Sequence, residues 1–117
     1  MTEKPINAKL SRLRIAPRKV RLVADLIRGK EVEEARNILK FTVKKASRPL
    51  LKLLNSALAN AENNFNIDRD EVDLYVDKIV VNEAPTMKRW RAIARGRTQE
   101  IKKRSSHIEL SLKKVNK

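Results

Sequence analysis

The stretch at residues 85–97 has the residue types that bind nucleic acids. An arginine side chain offers a planar fork of donors for phosphate oxygens, and an indole ring can stack on an unpaired base. The alternative is a solvated charged turn in which the tryptophan packs on the flanking chain. The density of positive charge in the last third of the chain favours nucleic-acid binding. The residues concerned are Lys88, Arg89, Trp90, Arg91, Arg95 and Arg97.

Two further basic clusters have the same two interpretations. The first spans a predicted strand and the start of a predicted helix, where residues 18 and 21 share a helix face. The second lies nearer the C-terminus. We expect both to contact phosphate groups, against the alternative of a solvated surface. They comprise Lys9, Arg12, Arg14, Arg18, Lys19 and Arg21, and then Lys102, Lys103 and Arg104.

The residues that could support catalysis or hold a metal ion have the wrong spacing. Ser106 and His107 are adjacent, and adjacent residues of a strand point to opposite faces of the sheet. The acidic stretch at 68–73 lacks the glycine and the later ligands of a calcium loop. The glycines, Gly29 and Gly96, do not form a phosphate-binding loop. We therefore expect no enzyme activity, no metal site and no cofactor, and a structural role for His107.

The overall charge indicates a polyanionic partner. The chain has 117 residues, 28 of them Lys or Arg and 14 Asp or Glu, which gives a net charge of +14. Positive charge is concentrated in residues 1–30 and 85–117, whereas residues 66–84 are mainly acidic and are expected to face solvent or a partner. Nucleic acid is the commonest polyanion, and a membrane surface is the other candidate.

A membrane-surface peptide would need bulky aromatics opposite a basic helix face, and only 3% of the residues are aromatic. The sequence has no cysteine, no apolar run of about 20 residues and no signal-peptide pattern. We expect a soluble, intracellular, single-domain protein with an aliphatic core.

The first half of the chain predicts one strand and two helices. Residues 7–14 alternate weakly, with Ala8, Leu10 and, more weakly, Arg12 on one face. A helix should begin at Pro17 and end before Gly29, which suits a left-handed C-cap. A second helix is predicted from Glu31 to about Lys40, because acidic residues favour its first turn and apolar residues recur at helical spacing.

The third helix has the strongest apolar stripe, but Pro49 interrupts its start. If the helix begins near Val43, with Thr42 as its cap, Pro49 must kink it. Otherwise a short turn precedes a main helix capped by Ser47, and both possibilities stay open. The stripe consists of Leu50, Leu54, Ala57, Leu58, Ala61 and Phe65.

Two alternating segments predict an antiparallel strand pair. Placing 72, 74 and 76 opposite 112, 110 and 108 brings all six apolar residues to one face. The alternation breaks at Asp77 and Lys78, and from this we infer that a hairpin leaves the body there. The predicted body is therefore about 7–77 and 107–114, and the predicted extended hairpin is about 78–106.

Several motifs together resemble the bacterial-type large-subunit ribosomal protein L22 family. They are APRKVRLVADLIRGK at 16–30, SALANAENN at 56–64, MKR at 87–89, ARGR at 94–97 and HI at 107–108. The resemblance extends from about residue 8 to 112. It implies an α+β fold of three helices packed on a small antiparallel three-stranded sheet, with a long protruding β-hairpin. At Ala92 and Ile93 the chain departs from the family, which usually has a proline and a basic residue there.

The resemblance also implies a function. The chain would be a structural constituent of the large ribosomal subunit that binds its RNA, supports assembly and contacts neighbouring ribosomal proteins in the cytoplasm, without forming homo-oligomers. The hairpin tip would line the exit tunnel of the nascent peptide, and it comprises Met87, Lys88, Arg89, Trp90 and Arg91. The rival functions are a free-standing nucleic-acid chaperone, with weak and salt-labile binding, and an enzyme.

Overall fold

A computed structural model describes the backbone of residues 6–67, 72–85, 87–92 and 98–116, and the side chains of 6–67, 72–85 and 104–115. Within these residues, three helices and five strands follow one another in the order β1, α1, α2, α3, β2, β3, β4, β5. Their bounds are Ile6–Leu13 (β1), Pro17–Ile27 (α1), Val32–Phe41 (α2), Ser47–Asn64 (α3), Val72–Glu83 (β2), Met87–Ala92 (β3), Thr98–Lys103 (β4) and Ser106–Asn116 (β5).

A three-stranded antiparallel sheet in the order β1-β5-β2 forms the floor of the core. The three helices bury their apolar faces against one side of it. On the central strand β5, the alternate residues Ile108, Leu110 and Leu112 point into this core. The α+β fold class, with three helices and a three-stranded antiparallel sheet, is confirmed.

The predicted register between the two apolar strands is wrong. Val76 pairs with Leu112, and the pairing resumes one residue out of step, with Lys78 opposite Ser111. Asp77 is therefore an extra residue in β2, a β-bulge that reverses which side chains face the core. The broken alternation at Asp77 and Lys78 marks this bulge.

Beyond the bulge β2 continues as part of the body. Ile79 and Val81 pair with Leu110 and Ile108 and are only 2% and 6% exposed. The pairing of β2 with β5 runs on to Glu83 opposite Ser106. Our inference that a hairpin departs at 78 is therefore wrong for the strand itself, because apolar burial resumes in the opposite phase. The wider division into body and hairpin stays a prediction.

Strands β3 and β4 form a separate two-stranded antiparallel sheet. Met87 pairs with Lys103 at one end and Ala92 with Thr98 at the other. The molecule measures 67 × 32 × 19 Å along its principal axes. We call the pair of β3 and β4 the ribbon. How far the ribbon protrudes from the body stays a prediction.

The turn between α1 and α2 is tied to the edge of the sheet. Pro17 opens α1, as predicted, and Gly29 has the predicted positive φ, +78°. Arg28 and Gly29 are the central residues of a type II turn that Lys30 N–H closes by donating to Ile27 O at 3.1 Å. Gly29 N–H donates to Val76 O, and Val76 N–H donates to Lys30 O, both at 2.9 Å.

The start of α3 decides between the two possibilities for Pro49. The helix begins at Ser47, after a separate turn in which Ser47 N–H donates to Lys44 O at 3.1 Å. Pro49 therefore lies in the first turn, where its missing N–H leaves no helical bond unmade. The N-cap position is Ala46, so the expectation that Ser47 caps the helix is wrong. Thr42 does not cap it either, since its hydroxyl donates to Ile38 O, in the last turn of α2, at 2.5 Å.

We predict that Ile79→Ala lowers the free energy of unfolding by about 2–4 kcal/mol, because it opens a cavity in the core. Val80→Ala, at the next position but 42% exposed, should cost about 1 kcal/mol or less. Urea denaturation monitored by circular dichroism measures both. Equal losses for the two variants would contradict the bulge at Asp77.

Candidate nucleic-acid interface

The first predicted basic cluster lies along β1, the connection to α1, and the exposed side of α1. All six of its residues are exposed. Lys9 pairs with Glu109 at 3.7 Å, but both side chains are more than half exposed, so this ion pair adds little stability. The four cations between Arg12 and Lys19 form no ion pair within the described part of the chain. They are therefore available to an anionic partner.

Arg12 occupies a bulge in β1. Leu10 pairs with Ile108 and Leu13 with Ser106, so two residues of β1 lie opposite the single residue His107. The backbone accommodates the extra residue because Arg12 adopts a left-handed conformation, with φ 56°. Its N–H donates to His107 Nδ1 at 3.1 Å instead of to a strand carbonyl. The weak prediction that Arg12 faces inward is wrong, because the bulge turns Leu13 toward the core and leaves Arg12 exposed.

Ser106 fixes the other side of the same connection. Its fully buried hydroxyl donates to Ile15 O at 2.6 Å, while Ile15 N–H donates to Leu13 O at 2.8 Å. Ser106 and His107 point to opposite faces of β5, as the sequence predicts, and each bonds to the backbone of the β1–α1 connection. Both residues therefore have structural partners, in agreement with the structural role expected for His107.

Arg21 and Arg28, seven residues apart on one side of α1, bind the edge of the sheet. Arg21 donates to Val81 O at 3.0 Å, and Arg28 donates to Ile79 O at 2.8 Å and also pairs with Asp25. Their guanidinium groups satisfy carbonyls on the outer side of β2, which no strand of the described part of the chain covers, and this protects the edge from pairing with another chain. Arg21 thus has a structural bond in addition to its predicted RNA contact.

Arg28 was missed as a positioning residue. The signal was available in the spacing of Arg21 and Arg28, which places them on one helix face two turns apart. The sequence does not predict the register of β2, however, so it does not show which backbone carbonyls lie within reach of that helix face.

The other two clusters lie mainly on the ribbon. Positions 88–91 belong to β3, and 102 and 103 belong to β4. Lys88 is paired directly with Lys102, and Arg89 with Ile101. Arg104, just after β4, is exposed, whereas Arg95 and Arg97 lie outside the described residues.

The described part of the chain offers no constellation for catalysis. Its buried polar side chains are Ser47 and Ser106, and neither is ionisable. No three His, Asp or Glu side chains of the described residues lie close enough to hold a metal ion. Among the described helices, none combines the length and apolar character needed to cross a bilayer.

Comparison with known proteins matches residues 8–113 to the family model described as ribosomal protein L22p/L17e. The large ribosomal subunit protein uL22 of Pediococcus pentosaceus is 56% identical over 102 residues, 87% of this chain and 85% of the relative. The protein of the same name from Mycoplasma capricolum is 57% identical over 102 residues, 87% of this chain and 90% of the relative. That from Clostridium novyi is 52% identical over 101 residues, 86% of this chain and 89% of the relative.

We predict that Arg21→Ala lowers the free energy of unfolding by about 1 kcal/mol, because Val81 O loses its donor. Arg18→Ala removes the same charge from the same helix and should change stability by about 0.5 kcal/mol or less. Chemical denaturation at one fixed salt concentration compares them. If the two variants were equally stable, the bond from Arg21 to β2 would have no structural role.

Proposed function

Because the chain belongs to the ribosomal protein L22p/L17e family, we propose that its exposed basic residues bind large-subunit ribosomal RNA. The chain is a structural constituent of the large ribosomal subunit and is not an enzyme. It associates there with ribosomal RNA and ribosomal proteins, and it is bound to ribosomes in the cytoplasm. The proposal concerns which of its residues make these contacts.

One observation supports the body contacts above all. Arg12, Arg14, Arg18 and Lys19 are exposed on a segment that runs from the end of β1 into the first turn of α1, and the backbone of this segment is bonded to β5 at two points. Cations that are unpaired in the protein and held on a fixed backbone can contact successive phosphates of a folded RNA. A flexible charged tail would have the same charge but would lose more conformational entropy on binding.

The ribbon is proposed to extend this interface away from the body. Its basic positions, Lys88, Arg89, Arg91, Lys102 and Lys103, bind RNA in this proposal, and Arg95, Arg97 and Arg104 continue the contact. The place of these positions on β3 and β4, within the basic last third of the chain, supports this proposal. Trp90 is proposed to stack on an unpaired base.

We further propose that positions 87–91 line the tunnel through which the nascent peptide leaves the ribosome. The support is the resemblance of Met87, Lys88 and Arg89 to the family's hairpin-tip motif, together with the place of all five positions on β3. The departure at Ala92 and Ile93 lies where β3 ends, so the connection after it differs from the family pattern.

A tagged copy of the chain should sediment with the large ribosomal subunit, in a fixed ratio, through a density gradient at high salt. Deletion of residues 87–97 should leave this attachment largely intact, because the body cluster remains. Tag that washes off to the top of the gradient would instead favour a free-standing nucleic-acid chaperone, whose binding is weak and salt-labile.

The body cluster should also account for much of the salt dependence of binding. We predict that replacing Arg14, Arg18 and Lys19 together by alanine weakens binding to purified large-subunit RNA and lowers the slope of log affinity against log salt by roughly 2. A matched control removes the same charge from α2, α3 and the turn between them, by replacing the exposed Lys40, Lys44 and Lys52 with alanine.

The control should bind with a nearly unchanged slope, as measured by filter binding at several salt concentrations. If both triple variants lost the same slope, binding would depend on net charge alone, and the proposed interface on β1 and α1 would be wrong.

A further inference from the structure

We propose that His107 is a positioning residue for RNA binding: its neutral imidazole holds Arg12 in the β1 bulge, and protonation of the ring releases that residue. The inference rests on the proposed RNA-binding function of the body cluster and assigns to His107 the control of its geometry. It also makes the shape of this interface sensitive to pH.

The direction of the hydrogen bond determines the protonation state of the ring. A backbone N–H can only donate, so the bond from Arg12 N–H to His107 Nδ1 requires a lone pair on Nδ1. The ring proton must then be on Nε2. A doubly protonated imidazolium has N–H groups at both positions and cannot accept this bond.

The conformation of Arg12 gives this bond its importance. A left-handed φ of 56° is unfavourable for a residue with a Cβ, whereas glycine adopts it without strain. A strained backbone conformation persists only where its surroundings hold it. At Arg12 the described surroundings supply His107 Nδ1 on one side and the strand pairs Leu10–Ile108 and Leu13–Ser106 on the other.

The two anchors of the connection differ in their response to pH. The bond from the Ser106 hydroxyl to Ile15 O contains no titratable group, so it persists at acidic pH. The bond to His107 Nδ1 is lost on protonation. Acid would therefore release the Arg12 side of the connection and leave the Ile15 side in place.

The charged neighbours of His107 do not supply another anchor for Arg12. On the same face of the sheet, Glu109 of β5 is paired with Lys9 of β1. On β2 the residue opposite His107 is the uncharged Asn82, and the next residue is Glu83, opposite Ser106. Arg104 precedes β5, and Arg12 itself is the cation nearest along β1. A proton on His107 therefore adds positive charge next to Arg12 while removing its acceptor.

Nuclear magnetic resonance of the full-length, isotopically labelled chain tests the bond directly. At pH 8 the Arg12 amide should show a scalar coupling to His107 Nδ1 across the hydrogen bond and should be protected from solvent exchange. At an acidic pH where the ring's own nitrogen chemical shifts show His107 to be protonated, the coupling should vanish. Protection, corrected for the intrinsic rate, should fall about 5-fold, the factor that corresponds to roughly 1 kcal/mol for one hydrogen bond.

Three variants distinguish the effect of losing the hydrogen-bond acceptor from the effect of protonating the imidazole ring. His107→Asn places an amide oxygen near the position of Nδ1 and cannot be protonated in this range, so it should protect the Arg12 amide at both pH values. His107→Leu has no acceptor and should leave the amide unprotected at both. Asn82→Ala, which changes the opposite residue on the same face, should behave like the unmodified chain.

RNA binding is then measured with purified large-subunit RNA. His107→Leu should bind about 5-fold more weakly at pH 8, a change equivalent to roughly 1 kcal/mol, and His107→Asn should bind like the unmodified chain. At the acidic pH where the ring is observed to be protonated, the unmodified chain should bind more weakly than His107→Asn, although the protonated ring adds one positive charge.

The possible failures are distinguishable. If Arg12 protection were independent of pH and of the acceptor, His107 would not position this residue. If protection changed but RNA affinity did not, the bond would exist without serving binding, and the inference would be overturned. If the triple alanine variant of Arg14, Arg18 and Lys19 kept full RNA affinity, the proposed function of the cluster would fail on its own. Should His107→Leu not fold, the pH response of the unmodified chain against His107→Asn still decides.

Discussion

The regular alternation of β5 constrains the rest of the sheet. Ile108, Leu110 and Leu112 must all face the helices, because they supply the apolar centre of a small core. In the flanking strands β1 and β2, the alternation of core-facing residues does not stay in phase with that of β5 over the whole length of the strand. Each therefore contains one extra residue, at Asp77 in β2 and at Ser11–Arg12 in β1. The bulges allow Leu74 and Val76 in one phase, and Ile79 and Val81 in the other, to reach the same core.

The positive charge of the chain has a structural role as well as a binding role. With 28 basic and 14 acidic residues, the folded body repels itself, and the ion pairs Lys9–Glu109 and Arg28–Asp25 are exposed. Arg21 and Arg28 offset part of this by donating to backbone carbonyls of β2, which accept a cation without needing an acidic partner. The remaining cations destabilise the free chain and stabilise the bound one, because any ligand that binds only the folded state adds stability.

The sequence predicts those features that depend on local patterns. The apolar faces of α1 and α3, the proline that opens α1 and the positive φ of Gly29 follow from spacing and backbone sterics alone. The exposure of Arg14, Arg18 and Lys19 follows as well, since an amphipathic helix and a polar connection leave few other places for them. The family motifs add the fold class and the functional class, which charge alone leaves open between RNA, DNA and membranes.

The pairing register of β2 with β5 is not predictable from the sequence, for a physical reason. An interrupted alternation is the same signal whether a strand leaves the sheet or inserts one residue and continues. Only the burial of Ile79 and Val81 against a partner strand separates the two. The partners of Arg28 and His107 depend on that register, so no local pattern could supply them. The structural role of His107 follows from excluding catalysis, whereas the bonds of Ser106 to Ile15 and of His107 to Arg12 depend on the bulge in β1.

The bulge at Arg12 shows how a binding surface and a stable sheet compete for one position. Glycine would adopt φ 56° without strain, yet glycine there would remove a cation from the middle of the basic cluster. Arginine keeps the charge at the cost of backbone strain, and the hydrogen bond that Arg12 N–H donates to His107 Nδ1 compensates for it. A lysine or arginine at position 107 would add charge but could not accept the Arg12 N–H. Histidine suits position 107 because its neutral ring accepts the Arg12 N–H. Protonation of the same ring would break this bond and release the Arg12 side of the interface.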